Sequence, residues 1–516
     1  MKRVDRTGTT CLLAFCWAMA CGGGGGRDDA DAGRDGGPGG DADAVEVAAE
    51  TGPQDAHAVE ALSCPDVAGT AMTLAQKAAR FDAQSRAWHL PAGQDLYYGA
   101  VLKEDLQTWD RVQMSDNVGM WTGVYAASQA FRYAVTREEE ALQNLRRVIR
   151  GEWDLVHITG VRGLFTRVYV NPALPGFPTA DQLAAWYPDC DLSVRHCKKF
   201  VEVTEGDYQG LWFKTDASKD EYTGHVLSMA TAWEVVDDPE VRRMVEEIVT
   251  AVGDHLVGNS LQLTDIDGQV TTYGHLNALG LDDFPGFNAI LALSWMRLAA
   301  EVGGQKYRDY YEGCLLQKNG ANPCIEAEAD DPRPYTDYLD NVGLDLDCMT
   351  NWNNHGMAQL SMWALLRMED DPGLRATYRK ALRERLWDAD DPRPMRVQQN
   401  TLWTFFYLVN RDPGDPWPAQ AATEALCVLK EFPESKHHHF TDSMQRYPEV
   451  CKERGGDPMT DVVIPIDETA MDNFLWFRNP YEMEEEAETP TLVDSTEDFL
   501  LAYWFGRYFG LITPDM

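Results

Sequence analysis

Carboxylates gather just ahead of apolar stretches at four places in this chain of 516 residues. The first is Asp116-Asn117, which precedes an apolar run carrying Trp121 and Tyr125. The second is Asp220, Glu221 and His225, with Lys214 and Asp216 just upstream. Glu221 and His225 are four apart, so they share one helical face, and Gly224 between them leaves room for another backbone or a ligand to approach. The third is Asp345, Asp347, Asn353, Asn354 and His355; the fourth is Asp467, Glu468, Asp472 and Asn473, with Trp476 as a stacking surface. Hydrolysis of a glycosidic bond needs two carboxyl groups, one holding a proton for the leaving oxygen and one ionised. Asp116, Asp220, Glu221 and His225 are the candidate catalytic groups. Asn117, Trp121, Tyr125, Trp212, Asp345, Asn354, His355, Asp472 and Trp476 are the candidate sugar contacts. Each group also has a plainer explanation. Asp116 or Ser115, and Asn353 or Asn354, suit helix N-caps. Asp220 and Glu221 suit a first helical turn, with His225 a satisfied core histidine.

Metal and cofactor signals are thin. The third group offers several oxygens, but calcium needs six to eight. Asp265-Ile266-Asp267-Gly268 begins like a calcium loop and lacks the later Glu, so it reads as a turn. His437-His438-His439 reads as a surface loop. No P-loop, dinucleotide fingerprint, H-E-x-x-H or serine elbow occurs. The expectation is no metal and no cofactor, with calcium the one ion the residues suggest.

Eighty-three acids against 45 bases leave a formal charge of −38. That excludes nucleic acid and peripheral attachment to anionic lipid. Sixteen tryptophans and 20 tyrosines suit sugar-stacking surfaces, although most must be core. Residues 1–21 have a basic start, a short apolar run and Ala18-Met19-Ala20-Cys21. This describes a secretory signal rather than a membrane span. Its end resembles the bacterial lipobox, which implies that Cys21 becomes the lipidated N-terminus. The chain is then exported and held by that anchor alone on a bacterial membrane, at the outer membrane or cell surface. Residues 22–63 carry ten acids, two arginines and few large apolar side chains. Such a segment stays an unfolded, self-repelling tether. The folded domain is expected over residues 64–516.

Eight cysteines remain in that domain, and an even number in an exported chain suggests disulfides. Cys190–Cys197 and Cys314–Cys324 are the local pairs. Cys427–Cys451 would close a longer loop and would leave Cys64 with Cys348.

The positioning elements are helices. Apolar residues at steps of three and four predict helices over 70–87, 117–136, 138–157, 220–236, 239–258, 284–302, 304–316, 352–367, 372–388, 399–410, 417–431 and 495–510. One member of several pairs is apolar on every side and its partner is amphipathic. Buried helices alternating with surface helices make a double ring, an all-α (α/α)6 toroid, rather than an open repeat superhelix. Short strands are expected at 94–101 and in a hairpin around Asp265–Gly268; residues 433–495 form a long, mostly irregular excursion.

The segments SDNVGMWTGVYAASQAFRYAVT (115–136), TDASKDEYTGHVLSMATAWEVVDDPE (215–240), GNSLQLTDIDGQVTTYGH (258–275) and DFLLAYWFGRYFGLI (498–512) resemble the six-hairpin glycosidase-like proteins, in a poorly characterised bacterial branch. The resemblance implies the same toroid and a carbohydrate ligand. DNVGMW is also similar to the acidic loop of unsaturated glucuronyl hydrolases, which implies an acid/base role for Asp116. Three readings stay open: a glycoside hydrolase, a non-catalytic glycan-binding or scaffold lipoprotein, and a polysaccharide lyase using Tyr or His as base.

Overall fold

Apolar helices and amphipathic partners alternate along the chain in the computed structural model, which describes residues 62–64, 71–277, 285–317, 333–342, 348, 350, 352–389, 393–438, 440–453, 456–469, 479–483 and 489–516. Cys21, most of the tether, Cys324, Asp345, Asp347, Asp472 and Trp476 lie outside the described residues.

The order is α1 (Leu74–Gln84), β1 (Gly99–Leu102), β2 (Trp109–Gln113), α2 (Val118–Thr136), α3 (Glu139–His157), β3 (Tyr169–Val170), α4 (Ala180–Ala185), β4 (Phe200–Glu202), β5 (Trp212–Lys214), α5 (Lys219–Val235) and α6 (Pro239–Gly258). There follow β6 (Gln262–Thr264), β7 (Val270–His275), α7 (Pro285–Gly303), α8 (Gln305–Tyr310), α9 (Trp352–Met368), α10 (Pro372–Ala381), α11 (Thr401–Asn410) and α12 (Ala419–Glu431). The chain ends with α13 (Ser443–Arg446), β8 (Cys451–Lys452), β9 (Pro458–Met459), β10 (Leu492–Val493) and α14 (Glu497–Tyr508).

The inner ring is α2, α5, α7, α9, α11 and α14; the outer ring is α3, α6, α8, α10, α12 and α1. This is the (α/α)6 toroid. Inner α2 is buried from Val118 to Arg132 with hardly a break. Outer α3 buries one stripe, Leu145, Val148, Ile149, Glu152, Leu155 and Val156, at the helical step. Asp238 and Asp371 accept the first amides of α6 and α10 ahead of Pro239 and Pro372. Three outer helices, α1, α8 and α10, finish in a wider π-type turn, at Ser85–His89, Tyr311–Leu315 and Leu382–Trp387.

Two features decide where a site can lie. First, α2 and α5 approach backbone to backbone: a Cβ on Gly123 would stand 2.5 Å from the Gly224 carbonyl oxygen. The space at Gly224 is therefore taken by α2, not by a ligand. Second, the carboxyl ends of the inner helices are plugged. Phe131, Trp363, Phe406 and Phe505 meet there, with Phe131–Phe505 at 5.5 Å, Trp363–Phe505 at 5.4 Å and Trp363–Phe406 at 5.6 Å between centroids. Loops and strands cluster at the amino end instead. The sheet β10-β1-β2 feeds α14 and α2 from its two edge strands, on either side of β1. A second sheet, β3-β5-β4, stands before α5, and β6-β7 is the expected hairpin around Asp265–Gly268. The strand expected at 94–101 is confined to Gly99–Leu102, because residues 94–98 fold into the core with Leu96, Tyr97 and Tyr98 buried.

Cys190 is joined to Cys197, Cys64 to Cys427 and Cys348 to Cys451. The pairings Cys427–Cys451 and Cys64–Cys348 are therefore corrected. Sequence proximity misled, because Cys64 enters beside the outer helix α12 that carries Cys427, with Lys430 donating to the Cys64 carbonyl. Cys348–Cys451 pins the late excursion beside the start of α9, where Trp352 packs on Tyr481. Cys314 is disulfide-bonded, and Cys324 lies outside the described residues. The folded part begins slightly before residue 64, since Leu62 is buried and its amide donates to the Leu511 carbonyl at 3.1 Å. Among the described residues, no helix is long and apolar enough to cross a membrane.

Candidate active site

Asp116 sits at the open end, immediately before α2, and its side chain is 50% exposed. It does not cap the helix. Asn117 holds the cap position without a side-chain bond to the helix. The first amides of α2 are taken by neighbours, Gly119 N–H by the Arg167 carbonyl at 3.0 Å and Met120 N–H by Glu221 Oε2 at 2.8 Å. The Asp116 carboxylate accepts instead from two lysines, Lys198 Nζ at 2.5 Å and Lys214 Nζ. Partial burial pushes this carboxyl upward, but the two lysine hydrogen bonds prevail and hold it at about 2. Asp116 is thus ionised at neutral pH and carries no proton to give.

Elements of the second sheet present these lysines. Lys214 ends β5, and its ammonium stands 5.3 Å from the Tyr187 ring centroid. Lys198 follows the Cys190–Cys197 bridge directly. Trp186, 45% exposed, closes α4 and packs on Phe200 of β4 at 5.6 Å. Trp212 lies two residues before Lys214 and so on the same face of the strand.

Arg167 ties the two candidate acidic groups together. Its Nη1 donates to Asn117 Oδ1 at 3.0 Å and to the Asp116 carbonyl at 3.3 Å, and lies 3.9 Å from Glu221 Oε1. Its Nε donates to the Asp216 carbonyl at 2.7 Å. Asp220, half-buried at the start of α5, is pushed upward by burial, opposed by Arg167 and Lys219. Glu221 is fully buried; burial pushes it up to about 8, against Arg167 and the Met120 amide.

His225 is sealed as well. Its Nδ1 meets Glu152 Oε1 at 2.7 Å, Ser228 donates to Glu152 Oε2 at 2.6 Å, and Phe165 stacks on the ring at 3.8 Å. A Cβ on Gly119 would lie 2.7 Å from Glu221 Oε2 and 3.0 Å from His225 Nε2, so both groups press on the α2 backbone. The structure places Glu221 and His225 in the buried contact between α2 and α5 and not at the open end beside Asp116. They share a helical face as expected, but that face is the helix contact.

Other expected contacts part in the same way. Tyr125 is fully buried and stacked on Tyr97 at 4.4 Å, so it is core. Asn354 and His355 are buried inside α9, which starts at Trp352, and neither Asn353 nor Asn354 caps it. Trp121 is half-buried on the first turns of α2. Glu468 accepts from Tyr447 at 2.6 Å and pairs with Arg446 at 2.8 Å. His438 meets Asp494 at 2.9 Å.

Sequence reasoning missed Arg167, Lys198, Trp186, His196 and Glu152. Glu152 carried a signal, being an acid inside the apolar stripe of α3. His196 lies between Asp216 Oδ1 at 2.9 Å and Asp267 Oδ2 at 3.0 Å. Burial lowers its pKa, but the two carboxylates prevail and raise it. Asp216 also accepts from Thr272 N–H at 2.7 Å, which binds the β6-β7 hairpin to this end of the ring. No described side chain of this cluster is arranged around a metal position.

No family model matches the chain, and no curated protein does. Solved structures similar to it include a family 76 α-mannanase of Bacteroides thetaiotaomicron, at 9% identity and a TM-score of 0.40, covering 85% of this chain and 96% of the other. A cellobiose 2-epimerase of Spirochaeta thermophila matches at 10% identity and 0.38, over 86% and 99%. An unsaturated glucuronyl hydrolase of Streptococcus agalactiae matches at 10% and 0.35, over 87% and 98%. Similarity at this level carries no residue role, and the toroid stands on its own helices.

Proposed function

We propose that this protein is an exported glycoside hydrolase in which Asp220 gives the proton and Asp116 is the ionised carboxylate. The observation that carries the reading is the placement of two acids at the starts of neighbouring inner helices with Arg167 bonded to the Asp116 carbonyl and its charge acting on Asp220, and with opposite displacements: Asp116 is held at about 2, while burial raises Asp220. Environments that push two carboxyl groups apart assign the acid and its ionised partner. Asp116 thereby exchanges the proton-donor role implied by resemblance for that of nucleophile or electrostatic stabiliser. Exposed Trp186, packed on Phe200 of the sheet that carries Lys214, offers an apolar ring face on which a sugar can stack. The carbohydrate-acting proteins among the similar structures fit this reading without adding to it.

Three disulfides among the described residues support an oxidising compartment, and Cys21 is the proposed lipid attachment. Cys21→Ala should release the protein from membranes; a variant still carrying acyl chains at its N-terminus would sink the anchor.

Turnover of a panel of neutral oligosaccharides tests the chemistry. Asp220→Asn and Asp116→Asn should each lose about 10²–10⁴-fold in rate with folding intact. Full activity in both variants overturns the assignment. One observation favours a second reading: the two lysines occupy both Asp116 oxygens. A glycan-binding protein without turnover would bind the same panel and cleave none of it.

A further inference from the structure

A second concavity lies on the outer wall, where the turn after α10 meets α11 and the start of α12. It encloses about 600 Å³ and shares no residue with the Asp116 mouth. That volume is within the range of small-molecule sites. Its aromatic wall is built: Trp387 stacks on Tyr407 at 4.2 Å and 7°, and both rings are buried. Trp417, between Pro416 and Pro418, stands at the lip with Arg411 against its ring at 5.1 Å.

The two guanidiniums lining it are spent on carboxylates, and Glu424 keeps its charge beside Gln420. Arg383 Nη1 donates to Asp415 at 2.6 Å, Arg396 Nε pairs with Asp388 at 2.9 Å, and Gln420 donates to Glu424 at 2.9 Å. With each lining guanidinium neutralised, the wall offers no free cation for a phosphate or a uronate. It still offers many acceptors and several donors. Pro418 gives α12 no side-chain cap, and the Ala419 amide donates to the Trp417 carbonyl at 2.9 Å, which fixes Trp417 at the helix start. Gln399 lines the same space with a backbone φ of +55°, a left-handed conformation that costs a non-glycine residue energy. The Trp417 ring at the lip, over the buried Trp387–Tyr407 stack, combined with amide, carboxylate and guanidinium groups without a free cation, matches a polyhydroxylated ring.

We propose that this outer-wall cavity binds a short neutral oligosaccharide and holds a glycan on the protein away from the mouth. The choice of ligand rests on the carbohydrate reading; the cavity does not. The test is titration calorimetry of the full chain with neutral gluco-, manno- and xylo-oligosaccharides, and with glucuronate and inorganic phosphate as contrasts. Wild type is compared with Trp417→Ala, with Ala421→Phe, which fills the space without removing a contact, and with Asp116→Asn alone and combined with each. Affinity for a neutral oligosaccharide should fall at least tenfold in Trp417→Ala and Ala421→Phe, both alone and combined with Asp116→Asn, which blocks turnover at the mouth. Undiminished binding in Ala421→Phe with an unchanged melting temperature overturns the proposal and leaves the mouth reading untouched. Binding of phosphate or glucuronate alone, or of no sugar, also overturns it. Cavity-dependent binding without turnover keeps this proposal and removes the hydrolase.

Discussion

Asp116 and Glu221 look alike in the sequence and have opposite fates in the molecule. Each is an acid at the start of an inner helix, and each lies beside Arg167. Asp116 is half exposed, holds two lysines and is kept at about 2. Glu221 has no exposed surface, accepts from the Met120 amide and is pushed up to about 8. The difference is one of position by a single helical turn. Asp116 precedes α2 and points to the loops, while Glu221 lies inside α5 on the face that α2 covers. Acids at helix starts therefore divide into those that meet solvent and those that staple neighbouring helices. Only the former can meet a substrate.

The sharpest break in the comparison is at the buried side. Glu152 holds both His225 and Ser228 with no water in reach. Glu152→Leu strands those partners and should cost about 3–5 kcal/mol in urea unfolding. A loss below about 1 kcal/mol would mean that the buried pair is not what fixes α5. Next, Gly123→Ala places a Cβ 2.5 Å from the Gly224 oxygen, and the helices must separate. About 1–3 kcal/mol of destabilisation is expected. An unchanged melting temperature would show that α2 and α5 are not in this close contact.

Smaller effects sharpen the division of labour. Asp116→Asn should change stability by no more than about 1 kcal/mol, since half-exposed ion pairs contribute little. Glu221→Gln keeps an acceptor for the Met120 amide and should preserve turnover at saturating substrate. If Glu221→Gln instead abolishes turnover and Asp116→Asn does not, the two acids have been given each other's roles.

The pH dependence of stability gives the finest test. Glu221 is raised in the fold, so its contribution is present below the unfolded value near 4.5 and is lost as pH climbs through about 8. Asp116 is depressed, so its contribution is present above the unfolded value near 3.8 and is lost as pH falls through about 2. His196 is raised by its two carboxylates, so its contribution is complete below about 6.5 and fades above it. Melting curves from pH 4 to 9 should flatten at the alkaline side in Glu221→Gln and His196→Gln, and should not change there in Asp116→Asn. A Glu221→Gln profile parallel to wild type would show that Glu221 is ionised in the fold.

The ring itself was legible because helix burial is written into local pattern. A nearly apolar run such as 357–366, interrupted only by Gln359 and Ser361, has no charged face to offer water, and α3 has a single stripe, so inner and outer helices can be told apart one by one. The turn at Asp265–Gly268 and the bridge Cys190–Cys197 are equally local. Asp116 and Asp220 could be picked out in the sequence as candidates, while the cations that surround Asp116 could not. Lys198 and Arg167 come from stretches without helical pattern, 82 and 51 residues from Asp116 along the chain. The burial of Tyr125 and His225 was not legible for a related reason. An aromatic or histidine on an inner helix faces either the mouth or the next helix, and periodicity cannot say which.

The sequence by itself determined the twelve helices of the double ring and which of them are buried, since periodicity depends on neighbours within a few residues; it showed neither the short α4 and α13 nor the uncapped start of α2. Tertiary structure alone decided that Cys64 meets Cys427, that aromatic rings close one end of the ring, and that Lys198, Lys214 and Arg167 converge on one carboxylate. Those outcomes depend on how distant segments meet, and electrostatic environment follows from that meeting: the same carboxyl group is ionised between two lysines and protonated under a helix.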